Sequence, residues 1–151
     1  MTISQTMGQA RPVDQLLEKY AESHLNPVNE YIHFVCVPVI MWTVLGLIWA
    51  IHPWVAVAAA IVSLAYYFTL SMSFAIGMSL MAAAMLGILY ALPPSWVLPV
   101  AVSAFVIAWI GQFIGHKIEG KKPSFFDDLR FLLIGPLFVL GFLYRRLKIS
   151  Y

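Results

Sequence analysis

Two short segments, far apart in the chain, hold the side chains best suited to chemistry. The first is His24-Leu25-Asn26-Pro27-Val28-Asn29-Glu30-Tyr31-Ile32-His33, and the second places Gln112, His116 and Glu119 at intervals of four and three. On a helix, Asn29 and His33 share one face, and so do Gln112, His116 and Glu119. His24 precedes the Asn26-Pro27 break and can fold back towards His33. Together the segments offer three imidazoles and a carboxylate, a donor set suited to a first-row transition metal such as iron or zinc. Glu119 would be a fourth ligand or would orient an imidazole, as carboxylates beside metal-bound His commonly do. Asn29 and Gln112 could bond a substrate hydroxyl or a ligating imidazole. A single His near lipid headgroups is more often a cap or a phosphate contact. Three on one predicted face, with Glu and Gln in register, favour a site, because polar groups held in membrane helices are costly and usually functional.

The elements that must position these groups are membrane helices. From Tyr31 to His116 the chain carries no Asp, Glu, Lys or Arg. At roughly 20 residues per span, that interval holds four. Breaks at His52-Pro53, Ser71-Met72-Ser73 and Pro93-Pro94-Ser95 divide it into Ile32–Ile51, Pro53–Leu70, Phe74–Leu92 and Trp96–Gly115, joined by connections short enough to force antiparallel neighbours. Trp49, Trp54, Tyr90 and Trp96 flank the first and third turns, as interfacial aromatics do. Pro38 should kink the first span. Ala58, Ala59, Ala60, Ala82, Ala83, Ala84 and Gly87 would permit close helix contact. Asn26 and Pro27 read as the cap and first residue of that span's helix.

Ahead of it, residues 1–11 read as a disordered start. Val13, Leu16, Leu17, Tyr20 and Leu25 then lie near helical spacing, with Asp14, Glu18, Lys19 and Glu22 on other faces. That pattern predicts an amphipathic helix at the membrane interface or, equally, a helix packed on the loops. The last apolar run, Phe131–Tyr144, is short for a crossing and is interrupted by Gly135-Pro136. A tilted or half-buried helix is expected there, begun by Asp127 and Asp128 near its positive dipole end. The fold class is therefore an all-α integral membrane protein. It has about four spans, an amphipathic N-terminal helix and a short C-terminal one, with residues 12–151 forming one domain.

An even number of spans puts His24, His33 and His116 on one side and His52 on the other, where His52 reads as a cap. Residues 1–30 hold two basic and four acidic side chains, and residues 117–151 hold seven and three. All nine Lys and Arg then share one side, so both termini are placed in the cytoplasm, with the chain in a bacterial inner membrane or the endoplasmic reticulum. Lys117, Lys121 and Lys122 read as headgroup contacts. Nucleic acid is a poor partner for such a chain, whereas membrane lipid is an expected one and a homo-oligomer is compatible with it. Cys36 has no second Cys to pair with and reads as a packing thiol inside a span. A cleavable signal peptide is not expected. Neither a Gly-rich phosphate loop nor a nucleophile elbow is present.

His24, Asn26-Pro27, Asn29, His33 and Pro38 resemble the His…Pro-x-Asn…His…Pro opening of a small membrane family long listed as a domain of unknown function. That family now includes iron-dependent dioxygenases acting on 2-hydroxy fatty acids. The second half is similar too: Trp109-Ile110-Gly111-Gln112-Phe113-Ile114-Gly115-His116, then Glu119, Pro123 and Gly135-Pro136-Leu137-Phe138. Together the two halves span roughly Tyr20 to Tyr144. Members often carry a Glu shortly after Pro-Leu-Phe, where this chain has Gly141. The resemblance implies an Fe2+ dioxygenase that cleaves a 2-hydroxy fatty acid between its first and second carbons with O2. His24, His33 and His116 would be the metal ligands, and Glu119, Gln112 and Asn29 the catalytic side chains. The rival expectation is a non-catalytic lipid-binding or assembly protein, with a structural metal or none.

Overall fold

In a computed structural model the described residues are 10–122, 126–127 and 131–151; the expected disordered stretch 1–9, together with Pro123 and Asp128, lies outside them. Helices α1 (Pro12–Ala21), α2 (Pro27–Ile51), α3 (Pro53–Leu70), α4 (Met72–Ala91), α5 (Pro94–Glu119) and α6 (Gly135–Leu147) make up the fold, with no strand among the described residues. Of these, α2 to α5 are long and apolar enough to cross a membrane. The boundaries follow local chemistry. The Asn26 side chain accepts from the backbone N–H of Val28 at 2.9 Å, and Pro27 takes the first helical position of α2. His52 ends α2 and caps α3 by accepting from the N–H of Trp54 at 3.3 Å, as expected of it. Gly120, with φ of 76°, closes α5 in the left-handed conformation that glycine adopts most readily.

The outer two spans are longer than the predicted segments. With 25 and 26 residues, α2 and α5 reach about 37–39 Å, against roughly 30 Å of hydrocarbon. The surplus turns lie at the start of α2 and the end of α5, where the polar residues are. α2 runs through Pro38 as one helix.

The closest helix pairing is α2 with α5. A Cβ at Gly111 would lie 2.6 Å from Cys36 Sγ, and one at Gly46 3.0 Å from Ala101 Cβ, so glycine at these two positions lets the helices approach closely. The small residues singled out in the sequence serve this purpose less. Ala60 is buried, but Ala58, Ala83 and Ala84 are exposed, and nothing lies within 4 Å of a Cβ built on Gly87.

The terminal helices pack on each other. The apolar face of α1, Val13, Leu17 and Tyr20, is buried against Ile134, Leu137, Phe138 and Tyr144. Burying a Val or Leu side chain contributes about 1.5–3 kcal/mol relative to leaving it in water. This face is thus spent on protein, and α1 is the packed helix of the two alternatives. Leu25 lies beyond the end of α1 and is 75% exposed. Arg11, counted with the disordered start, is held by Asp14 at 2.8 and 3.0 Å and also donates to the carbonyl of Tyr151. α6 spans about 20 Å, too short to cross, and buries Pro136, Leu137, Phe138, Leu140 and Tyr144. It starts at Gly135; Asp127 belongs to a separate helical stretch at 126–127 and does not begin it.

Candidate active site

The folded chain joins the two polar segments at one end of the bundle. His24 sits in the turn after α1, His33 two turns into α2, and His116 in the last turn of α5. Ring centres are 4.2 Å apart for His24 and His33, 5.0 Å for His33 and His116, and 6.1 Å for His24 and His116. All three rings are buried. His52 lies about 28 Å away along α2, at the opposite end.

Two of the imidazoles have a fixed tautomer. Nδ1 of His24 lies 2.8 Å from the carbonyl of Tyr20, and Nδ1 of His33 lies 2.9 Å from the carbonyl of Asn29. A carbonyl oxygen can only accept, so each Nδ1 carries a proton, and in the neutral ring Nε2 keeps its lone pair. This is the state of a metal-binding imidazole, oriented through its other nitrogen. Tyr20 also stacks on His24, with ring centres 4.2 Å apart and planes inclined by 10°.

Three buried polar atoms have no hydrogen-bond partner among the described residues: Nε2 of His33, Oδ1 of Asn29 and Oε1 of Gln112. Leaving such an atom unsatisfied costs about 1–3 kcal/mol, so a concentration of them marks a place built for something else. The donor chemistry therefore fits a metal ion. As the side chains stand, no three His, Cys, Asp or Glu among the described residues form a group that could hold one. Three imidazoles on one ion place their ring centres about 4.5–5 Å apart at metal–nitrogen distances near 2.1 Å. The observed ring-centre spacings, from 4.2 to 6.1 Å, bracket that value.

Glu119 makes a different contact from a ligand's. Its carboxylate accepts from the N–H of Leu25 at 3.0 Å, the N–H of Asn26 at 2.9 Å and Nδ2 of Asn29 at 3.0 Å. It thus clamps the end of α5 onto the first turn of α2, where the helix dipole favours a negative charge. Asn29, with no exposed surface, also donates to the carbonyl of Ser23 at 3.2 Å. Lys121 Nζ reaches the carbonyl of Glu22 at 2.9 Å. The turn that carries His24 is therefore held by groups from both helices.

Cavities flank the imidazoles on two sides. Beneath them, Tyr20, His33, Val37, Trp109 and Gln112 line a space of about 20 Å³, room for a single water-sized group. Above, Lys19, Ser23, His24, His116, Lys121 and Lys122 line a mouth of about 190 Å³. Tyr20, Gly115 and Gly135 are site residues that sequence reasoning left out. A Cβ at Gly115 would collide with Asn29 Oδ1 and lie 3.2 Å from the His33 ring; one at Gly135 would lie 2.9 Å from Val37 and 3.1 Å from the Tyr20 hydroxyl. The available signals were the four-residue spacing of Gly111 and Gly115 and that of Tyr20 and His24. Gly141 faces Phe74 and Arg145, so a longer side chain there would point towards α4.

Four membrane-length helices, with a buried three-histidine cluster at one end of the bundle, define a multi-pass membrane protein with a polar site. Residues 10–147 match the sequence profile of the family described as 2-hydroxy-palmitic acid dioxygenase Mpo1-like, and the chain belongs to that family. No curated protein and no solved structure matches it.

Proposed function

We propose that this protein is a membrane dioxygenase that shortens 2-hydroxy fatty acids by one carbon, using O2 and an Fe2+ ion held by His24, His33 and His116. The observation that carries this reading is the pair of Nδ1–H donors to backbone carbonyls, which leaves Nε2 lone pairs inside a buried three-imidazole cluster. Family membership supplies the substrate class. Cleavage between the first and second carbons of a 2-hydroxy acid by one O2 gives the shorter acid, carbon dioxide and water, which balances atoms and electrons.

A ferrous ion, when bound, supplies the one-electron chemistry that O2 requires and open positions for O2 and substrate together. The chain's own residues do the rest. Asn29 and Tyr20 hold the His33 and His24 rings through their carbonyls, and the Tyr20 ring stacks on His24. Gln112 Oε1, buried beside His33, accepts from the substrate's 2-hydroxyl. Lys19 and Lys122 in the mouth attract the carboxylate. Glu119 is a positioning residue, acting through the turn that carries His24. With four spans and no crossing by α6, the polar end carries both termini. The concentration of Lys and Arg there favours the cytoplasmic side.

The test is protein purified without chelator. Stoichiometric iron, with O2 uptake on adding 2-hydroxypalmitate, supports the reading. Iron without uptake would reduce the protein to a metal-bearing lipid-binding role, and absence of iron from folded, unchelated protein would remove the centre.

A further inference from the structure

A third cavity, about 120 Å³, lies deeper in the bundle between α2, α3, α4 and the 132–133 turn. Its wall is carbon. The two polar side chains in it are already bonded within the protein: Ser63 Oγ to the carbonyl of Ala59 at 2.9 Å, and Tyr67 Oη to the carbonyl of Leu133 at 2.8 Å. Both side-chain donors are therefore already spent within the protein. Leu132 lines this cavity and also the small one beneath His33 and Gln112. One half-buried side chain is thus the partition between an apolar chamber and the polar site.

We infer that this chamber receives the alkyl tail of the substrate, threaded past Leu132 from the imidazole cluster, and sets the preferred chain length. The inference rests on the dioxygenase reading above. Length supports it: Ile48, at the deep end, lies about 22 Å beyond His33 along α2, close to an extended chain of about sixteen carbons. A membrane lipid entering from the side would account for the apolar wall, but not for a partition shared with the histidine site. Small side chains at Ala59, Ala60 and Ala82 keep the chamber open, and Met78 and Met85 give its wall an adaptable lining.

The experiment pairs chain-length kinetics with photo-labelling of the iron-loaded, full-length protein in lipid nanodiscs. Ala60→Leu and Ala82→Leu each add three carbons to the chamber; Ala82 is only half-buried, so its variant tests the idea should Ala60→Leu fail to fold. Each is expected to lower kcat/KM for 2-hydroxypalmitate at least about tenfold while changing that for an acid about six carbons shorter less than about twofold. A 2-hydroxy fatty acid with a diazirine near its methyl end should label Ser63, Met78 or Met85. Labelling confined to outward-facing positions such as Ile61 and Ile76, or equal losses at both chain lengths, would overturn the chamber and leave the dioxygenase reading standing. Chamber labelling in a wild-type protein inert towards every 2-hydroxy acid would support the chamber and count against the reaction.

Discussion

Replacing Glu119 by Gln tests whether the carboxylate works through the fold or at the metal. Its two oxygens accept three hydrogen bonds, from the N–H groups of Leu25 and Asn26 and from Asn29 Nδ2. A glutamine keeps one acceptor and turns an NH2 group towards at least one of those donors. The least costly orientation aims the NH2 at Leu25, losing one bond and creating one donor–donor contact. Hydrogen bonds to a charged group contribute about 1.5–3 kcal/mol each. Glu119 is half-buried, so solvent screening puts the loss near the lower end of that range. What loosens is the segment from Ser23 to Asn29, hence the position of His24 against His33. Metal affinity should fall about 10–100-fold, as it does when a group orienting a ligand is removed, while α2 to α5 stay folded. The assay is competitive iron binding against a chelator series, with hydrogen exchange of residues 22–29 as the structural readout. Lys117→Gln, on an exposed side chain of the same helix end, should change neither. If the two variants behave alike in both measurements, Glu119 is a headgroup contact and the clamp is wrong.

The remaining predictions test other parts of the site. His33→Ala and His116→Ala should each abolish iron retention, measured by elemental analysis, whereas His52→Ala should retain it and lose only about 1 kcal/mol as a cap. Gly115→Ala forces a methyl onto Asn29 Oδ1 and the His33 ring, so detergent-solubilised protein should lose about 1–3 kcal/mol in denaturant titration; Gly87→Ala, with open space around it, should be neutral or slightly stabilising. Cysteines placed at Ser23 and at Lys117 should react with an impermeant thiol reagent from the same side of the membrane, and labelling from opposite sides would contradict four crossings.

The spans were legible because their signals are local. Absent charge, Pro at first helical positions and capping by Asn26 and His52 each act within a few residues, and α3 runs from Pro53 to Leu70 as read. Each polar stripe was legible for the same reason: spacing of three and four on a helix places Asn29 with His33, and Gln112 with His116 and Glu119, on one face wherever the helix goes. Pairings between distant helices were not. Alanine runs suggested close contact in α3 and α4, yet the closest approach, α2 on α5, is set by Gly46, Gly111 and Gly115. A glycine reads alike in sequence whether it faces lipid, as Gly87 does, or a neighbouring helix. The partners of Glu119 were hidden too, because two of them are backbone N–H groups, which no side-chain pattern announces.

The same contacts explain why the site can be polar at all. In the hydrocarbon, three imidazoles and two amides would carry a large desolvation cost. They gather instead at one end of the bundle, where α1 and α6 bury them from water. Tyr20 links the two requirements: its ring packs on Phe138 of α6, with centres 5.0 Å apart, and stacks on His24, while its carbonyl fixes the His24 tautomer. The terminal helices are thus the roof of the site, and α1 is the element that carries it. A substitution that strips α1 from α6, such as Val13→Asp, should therefore expose His24 and weaken iron binding without disturbing the four spans, a result that helical content by circular dichroism and chelator competition together would reveal. Iron affinity unchanged in a variant whose α1 exchanges freely with solvent would show that the roof is dispensable and that the spans alone make the site.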